Sequence, residues 1–365
     1  METELRGWLE DRWNEAYGQS GEKLVFERFE RLSKGQSSDL IDIAVRRGAR
    51  TAEYVVRIEP RARQLFLKPD VVREARTLQG FESYPDLPAP KICWIEPGAG
   101  LVGAPFFVME RIEGRAPLGR PSMHLAGFLP ELTVESRTTL WTSAMAALVA
   151  VHAVDWRRTH AFLAPTDLSE GFLGAHLRQQ KTWYDWTTQG RKFPITDAAM
   201  DYLRANRTRV EDAEPVLVWN DARVGNMLFG ADNRVAAVID WEGPTIGPAG
   251  IDLGYWMMMD EFHAEAIEVA RLPGWPGAAE TQKRYEALSG RRIDDIDYFI
   301  VLAAMFISTT LIRQADIGVQ EGRLSADTTM AHANSTTQMI ARRLGLTVPD
   351  LSPDFAAHRQ LNPKV

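Results

Sequence analysis

The chain has 365 residues, 45% of them apolar, 25% charged and 9% aromatic, a composition that can build a large core and excludes wholesale disorder. Its 42 Lys and Arg against 49 Asp and Glu leave a net charge of −7, and its Arg-rich stretches (Arg46, Arg47, Arg50; Arg61, Arg63) are short, so no nucleic-acid partner is expected. The single cysteine, Cys93, excludes an internal disulfide and any cysteine-held zinc or iron–sulfur centre and points to a reducing compartment.

The opening METELRGWLEDRW carries charges where a signal peptide needs an apolar run. The longest apolar stretch, 298–307, is too short to span a bilayer, so a cytoplasmic protein without a membrane partner is expected. The sequons at Asn206 and Asn334 then carry no meaning. No internal repeat is visible, and the length suggests about two domains or one bilobal body.

An amphipathic helix with Leu5, Trp8, Leu9 and Trp13 is predicted first. Short β-rich runs follow at 24–29, 40–45, 52–58, 91–96 and 106–112. They are interrupted by one helix at 71–78, for which Pro69-Asp70 is a plausible start signal. Gly98-Ala-Gly100-Leu-Val-Gly103 matches the dinucleotide-binding pattern, but Pro105 and a β-run follow where that motif needs a helix, so a hairpin turn is expected. The hydrophobic period changes near residue 113, which predicts a β-rich domain over 1–112 and a mainly helical one over 113–365. Helical patterns run through 134–152, 254–271, 295–313 and 327–344. His152 is expected as a helix-end cap; the helical insertion with Trp183, Tyr184 and Trp186 and the helix start Tyr255–His263 would border the acceptor cleft, although aromatic and Met stripes on helices are core more often than ligand contacts. The seven histidines do not pair at metal-ligand spacing. The layout is α+β and bilobal, with the cleft between the lobes as the place to expect a ligand.

The sharpest segment is Val216-Leu-Val-Trp-Asn-Asp-Ala-Arg-Val-Gly-Asn-Met-Leu-Phe229, followed after a Gly230-Ala-Asp-Asn233 turn by Val238-Ile-Asp-Trp-Glu-Gly243. Apolar runs here deliver Asp221, Arg223, Asn226 and Asp240 to one end of a hairpin. Asn226 and Asp240 are oxygen donors suited to a hard cation such as Mg²⁺, which takes one or two such ligands together with substrate phosphates. Protein kinases place a base Asp five positions before a metal-binding Asn, with a second metal-binding Asp downstream. Asp221, Asn226 and Asp240 have that spacing, and Arg223 is placed to put positive charge on a transferring phosphoryl group.

On these residues the chain resembles the aminoglycoside phosphotransferase family, small-molecule kinases with a protein-kinase-like fold. Trp219-Asn-Asp-Ala-Arg-Val-Gly-Asn226, Asp240-Trp-Glu, Gly247-Pro and Asp252-Leu are particularly similar to a bacterial subgroup of it, over residues from about 30 to 345. Trp219-Asn220 stands where most members have His-Gly, positions that shape the loop. The resemblance implies ATP and Mg²⁺ as cofactors, a small-molecule hydroxyl as acceptor, Asp221 as base and Asp252 as a buried support of the catalytic loop.

A kinase-like N-terminal half also needs a turn over the phosphates, a cation on the third strand and a helix acid to hold it. The turn Ser33-Lys-Gly-Gln-Ser-Ser38 supplies Gly35, Gln36, Ser37 and Ser38, whose backbone N–H groups could approach phosphate oxygens. Arg57 ends the third run and Glu74 lies on the helix, and this pair would aim a guanidinium at two phosphate groups. By resemblance, the run 106–112 ends in a hinge, where backbone near Glu110 and Ile112 binds adenine and Met109 helps to sandwich it.

The expected activity is thus γ-phosphoryl transfer from ATP to a hydroxyl of an antibiotic or of a hydroxyacyl or lipid-like metabolite, by a monomer or homodimer. The rivals are a nucleotide-binding pseudokinase, to which Trp219-Asn220 lends weight, and carboxylate-pair hydrolysis by Asp221 and Asp240, which leaves Asn226 without a role.

Overall fold

The computed structural model describes residues 1–18, 22–32, 39–60, 65–210 and 214–359. The chain divides into two units, Met1–Pro85 with Ala89–Glu113, and Asp86–Pro88 with Gly114–Val365.

In the first unit, helix α1 (Glu2–Tyr17) buries Leu5, Leu9 and Trp13. Its partner is a sheet of β1 (Val25–Arg31), β2 (Asp39–Arg47), β3 (Arg50–Ile58), β4 (Ile92–Glu96) and β5 (Phe106–Glu110), antiparallel throughout in the order β1-β2-β3-β5-β4. Alternation in β2 and β3 turns Ile41, Ile43, Val45, Tyr54, Val56 and Ile58 onto the α1 side, where they form one core with Leu5, Leu9 and Trp13. Each such burial contributes about 1.5–3 kcal/mol. Helix α2 (Val71–Gly80) begins where Asp70 caps it, its carboxylate accepting from the Arg73 N–H at 2.8 Å. Residues 98–103 join the antiparallel pair β4 and β5, so the glycine-rich stretch lies in a hairpin connection. The Ser33–Ser38 turn, with Gly35, Gln36, Ser37 and Ser38, lies outside the described residues.

The second unit contains α3 (Val134–His152), α4 (Trp156–Thr159), α5 (Gly171–Thr188), α6 (Pro194–Asn206), α7 (Gly250–His263), α8 (Ala278–Ser289), α9 (Ile296–Gln320), α10 (Ser335–Leu344) and α11 (Pro353–Arg359). Among these helices lie two small antiparallel pairs. β6 (Val216–Val218) pairs with β9 (Thr245–Gly247), and β7 (Met227–Phe229) pairs with β8 (Val235–Val238). By length and composition α9 could cross a membrane, but 72% of its most apolar window is buried within the unit, as in a core helix. It lies against α7 at two glycines: a Cβ on Gly254 would come within 2.4 Å of the Phe299 Cβ, and one on Gly250 within 2.3 Å of the Phe299 ring. No larger residue permits that approach.

Several boundaries differ from the sequence expectation. Strand β9 is only three residues long and gives no periodic signal. Helix α7 starts at Gly250 and stops at His263 rather than running over 254–271; its start is hidden in the sequence because Gly250 and Gly254, within its first five residues, read as loop. Residues 327–334 are turns, and α10 starts at Ser335 because Asn334 caps it, accepting from the Thr337 N–H at 3.0 Å. The Asn334 sequon is therefore a buried helix cap.

Candidate active site

The site of the second unit is built on a loop whose backbone is suspended from one carboxylate. β6 ends at Val218, and the next two N–H groups, of Trp219 and Asn220, donate to the two oxygens of Asp252, each at 2.7 Å. Asp252 lies in the first turn of α7 and is fully buried. Its Oδ2 also contacts His152 Nε2 at 3.0 Å, and His152 Nδ1 contacts the Tyr285 hydroxyl at 2.6 Å. His152 is thus no helix cap. It links α3 and α8 to the support of the loop.

Asn220 takes φ +69°, a left-handed conformation that Asn tolerates better than most side chains. The turn aims the following residues along the loop. Arg223 Nε donates to Asp221 Oδ1 at 3.1 Å, and the two side chains are 26% and 25% exposed, so both reach solvent while gripping each other. The Asn226 side-chain N–H donates to the Asp221 carbonyl at 3.0 Å, which fixes the amide and leaves its oxygen as an acceptor. Burial pushes the Asp221 carboxyl above the ordinary carboxylate range; Arg223 opposes that shift, Asp240 adds to it, and a hydrogen bond from the Tyr255 hydroxyl opposes it. Arg223 is raised by the carboxylate of Asp221 against its own burial. Tyr255, on α7, has its phenol raised well above the usual value by burial and by the charge of Asp221.

The β7–β8 ribbon returns the chain alongside this loop. The Ile239 N–H donates to the Asn226 carbonyl at 3.0 Å, and Asp240 follows with φ +66°. Strain of this kind at a non-glycine residue persists where the surroundings hold it. Here the holder is Trp219. Its indole N–H donates to the carbonyls of Ile239 (3.1 Å) and Asp240 (3.2 Å), while its ring stacks on Trp241 with centroids 5.2 Å apart and planes at 18°. The residue that departs from the family pattern therefore ties the loop to the Asp240 backbone.

Asn226 and Asp240 are oxygen donors, as a hard divalent cation requires. Among the described residues no three His, Cys, Asp or Glu side chains cluster to hold a metal. A cation bound here would take these two oxygens and complete its shell with water and phosphate, the habit of Mg²⁺. Behind the loop, Leu118, Arg223, Gly225, Trp256, Asp260 and His263 help to line a cavity of about 10 Å³. Of the aromatic stripe, two members are core: Trp183 packs on Phe306 at 5.0 Å, and the buried Tyr184 hydroxyl donates to Asp197 at 2.7 Å, while Trp186 is half-buried beneath Arg313.

In the first unit, Arg57 Nε lies 2.8 Å from Glu74 Oε2 with side chains 8% and 4% exposed, so the strand cation and the helix acid form a buried pair. Around the expected hinge, sheet pairing takes up part of the backbone. The Glu110 N–H donates to the Lys91 carbonyl at 2.9 Å and the Arg111 N–H to Glu53 at 3.0 Å, because both residues extend sheet pairing. Met109 is half-buried on β5.

The chain belongs to the phosphotransferase enzyme family, whose model matches residues 28–281. Solved structures share its fold. A protein of Ralstonia eutropha JMP134 assigned as an aminoglycoside phosphotransferase superposes with a TM-score of 0.67 at 22% identity, covering 94% of this chain and 98% of that one. An aminoglycoside phosphotransferase APH(4)-Ia, solved with AMP-PNP and hygromycin B, gives 0.57 at 17% identity over 93% and 99% of the two chains. Among curated relatives, IBR3 of Arabidopsis thaliana, named as an acyl-CoA dehydrogenase, is 27% identical over 70% of this chain and 32% of its own length. Acyl-CoA dehydrogenase family member 11 of Gallus gallus is 29% identical over 55% of this chain and 24% of its own. The chain thus spans about a third or less of these relatives. By family it is therefore a phosphotransferase enzyme, and its fold is the one these solved structures share.

Proposed function

We propose that the protein transfers the γ-phosphoryl group of ATP to a hydroxyl of a hydroxyacyl or other lipid-like metabolite. The observation that carries this reading is the single loop in which Asp221, braced by Arg223 and Tyr255, stands beside the oriented amide of Asn226. Asp221 orients the acceptor hydroxyl and takes its proton as the oxygen bonds to phosphorus and the bond from phosphorus to the leaving ADP oxygen breaks. Arg223 offsets charge on the transferring group. Asn226 and Asp240 would hold Mg²⁺, which would supply charge neutralisation at the phosphate oxygens. In the first unit, Arg57, fixed by Glu74, grips the non-transferred phosphates, with Gly35, Gln36, Ser37 and Ser38 as backbone donors and Ile112 and Met109 at the base.

The acyl-CoA dehydrogenase names of the curated relatives favour a metabolite over an antibiotic, as does the scarcity of exposed carboxylates on α7, where Asp260 is buried and Glu261 is paired with Arg343 at 2.6 Å. Incubating the full chain with ATP, Mg²⁺ and a bacterial metabolite extract, and searching by mass spectrometry for compounds that gain a phosphate, tests the proposal. No ATP-dependent mass gain with wild-type protein, or the same gain with Asp221→Ala, overturns it.

A further inference from the structure

A group of cationic side chains lies outside the machinery described so far. On α11, Arg359 is only 6% exposed, yet among the described residues it meets no carboxylate. Its NH1 donates to the Gly119 carbonyl at 2.9 Å, its NH2 contacts His263 Nδ1 at 3.3 Å, its guanidinium lies 4.3 Å from the centroid of the Phe262 ring, and its Nε is buried without a hydrogen-bond partner. The neighbouring His358 is contacted through both ring nitrogens by Arg120, at 3.0 and 3.1 Å, and Arg120 is exposed and likewise unpaired with any described carboxylate. Arg323, also exposed, stands near His358 with its own charge committed to Glu321 at 2.7 Å.

A buried guanidinium without a counter-charge is costly, and proteins rarely keep one unless an anion completes it. The cost is visible in its proton affinity: burial lowers Arg359 to about 9, with Arg120 and Arg223 pushing the same way. The cluster also adjoins the catalytic loop. His263, which touches Arg359, lines the same small cavity as Arg223 and Gly225.

We propose that Arg120 and Arg359, with His358 between them, form a subsite for an anionic group, a phosphate or a carboxylate, carried by the acceptor. A guanidinium fork is suited to both groups. The inference rests on the functional reading above and narrows it: the acceptor enters as an anion, and a polycationic antibiotic is repelled by the same charges.

The test uses the full chain in two measurements. In thermal unfolding with sodium phosphate against sodium chloride at equal ionic strength, phosphate should raise the wild-type midpoint by about 2–4 °C. In Arg120→Gln, an exposed change that leaves the core intact, that rise should fall by at least half. Equal midpoints in phosphate and chloride for wild type, or an undiminished rise in Arg120→Gln, overturn the subsite. In the mass-spectrometric assay, compounds that gain a phosphate should already bear a carboxylate or phosphate. Products from neutral or cationic compounds, beside an intact phosphate effect, overturn the assignment to the acceptor and make free anion the occupant. Absence of any phosphorylated product overturns the functional reading, and with it the acceptor's part, while the phosphate shift still decides whether the anion site exists.

Discussion

At the scale of single residues, the site is a set of backbone constraints that leave a few side chains free to react. In the proposed reaction Asp221 accepts the hydroxyl proton, so Asp221→Ala should lower kcat by about 10²–10⁴-fold, the usual worth of a positioned base. ATP binding, followed by isothermal titration calorimetry, should persist because the phosphate-holding residues are untouched. Retained wild-type turnover would remove Asp221 from its role. Trp219 has a different part. Trp219→Phe keeps a ring to stack on Trp241 but deletes the N–H shared by Ile239 and Asp240. Loss of one hydrogen bond of about 1 kcal/mol should weaken Mn²⁺ binding in the presence of ATP by about threefold to tenfold. Electron paramagnetic resonance of free Mn²⁺ reads that change, and Trp219→His, which restores a ring donor, should recover part of it.

At the scale of elements, α7 carries Asp252, which hangs the loop, and Tyr255, which braces Asp221, so its seat on α9 governs the site. Gly254 sets that seat. Gly254→Ala puts a methyl against the Phe299 backbone, 2.5 Å from its carbonyl carbon. The helices must separate, at a cost of about 1–3 kcal/mol, which urea denaturation would register. Turnover should fall as well, because the displacement travels along α7 to Asp221. A variant with wild-type midpoint and kcat would show that α7 and α9 tolerate the methyl and that their spacing does not set the loop.

Much of this was readable before any coordinate, and the reason differs by element. The Asp221-to-Asn226 spacing and the order strand cation then helix acid are local patterns, and the Arg57–Glu74 pair forms where the order of elements implies. The run at 134–152 matches α3 because it is long, apolar and free of Gly and Pro. The role of Trp219, the His152 link and the Arg120–His358–Arg359 cluster had no sequence signal. Each joins residues far apart in the chain, Arg120 and His358 by 238 positions, and only tertiary packing brings them together. At the expected hinge, too, strand register decides which N–H groups are spent, through partners at Lys91 and Glu53.

At the scale of the whole molecule, the second unit encloses histidines whose burial outweighs the pull of any nearby carboxylate, and this shapes its response to pH. Burial lowers His124 and His176 to about 4 each, with Arg271 acting further on His124. Burial and the charges of Arg359 and Arg223 hold His263 well below its ordinary value. A histidine whose folded pKa lies below its unfolded value of about 6.5 stabilises the native state above that pH, and the contribution drains away as pH falls from about 6.5 toward 4. The loss is about 1.4 kcal/mol per pH unit for each such group. Asp260 acts in the opposite sense. Burial raises it to about 7, so its contribution is full at low pH and is lost as pH rises through 7; Asp221, also raised, behaves alike. His332 and His358 are lowered by burial as well, and five such histidines against two raised carboxyls leave a net loss on acidification. Urea denaturation at pH 7 and pH 5 should therefore show a lower midpoint at pH 5. The sharper measurement is His176→Gln, whose side chain keeps polarity without a titrating proton: the difference in stability between pH 7 and pH 5 should shrink by about 1–2 kcal/mol relative to wild type. An unchanged difference would mean that His176 is already protonated in the folded chain, contrary to its enclosure.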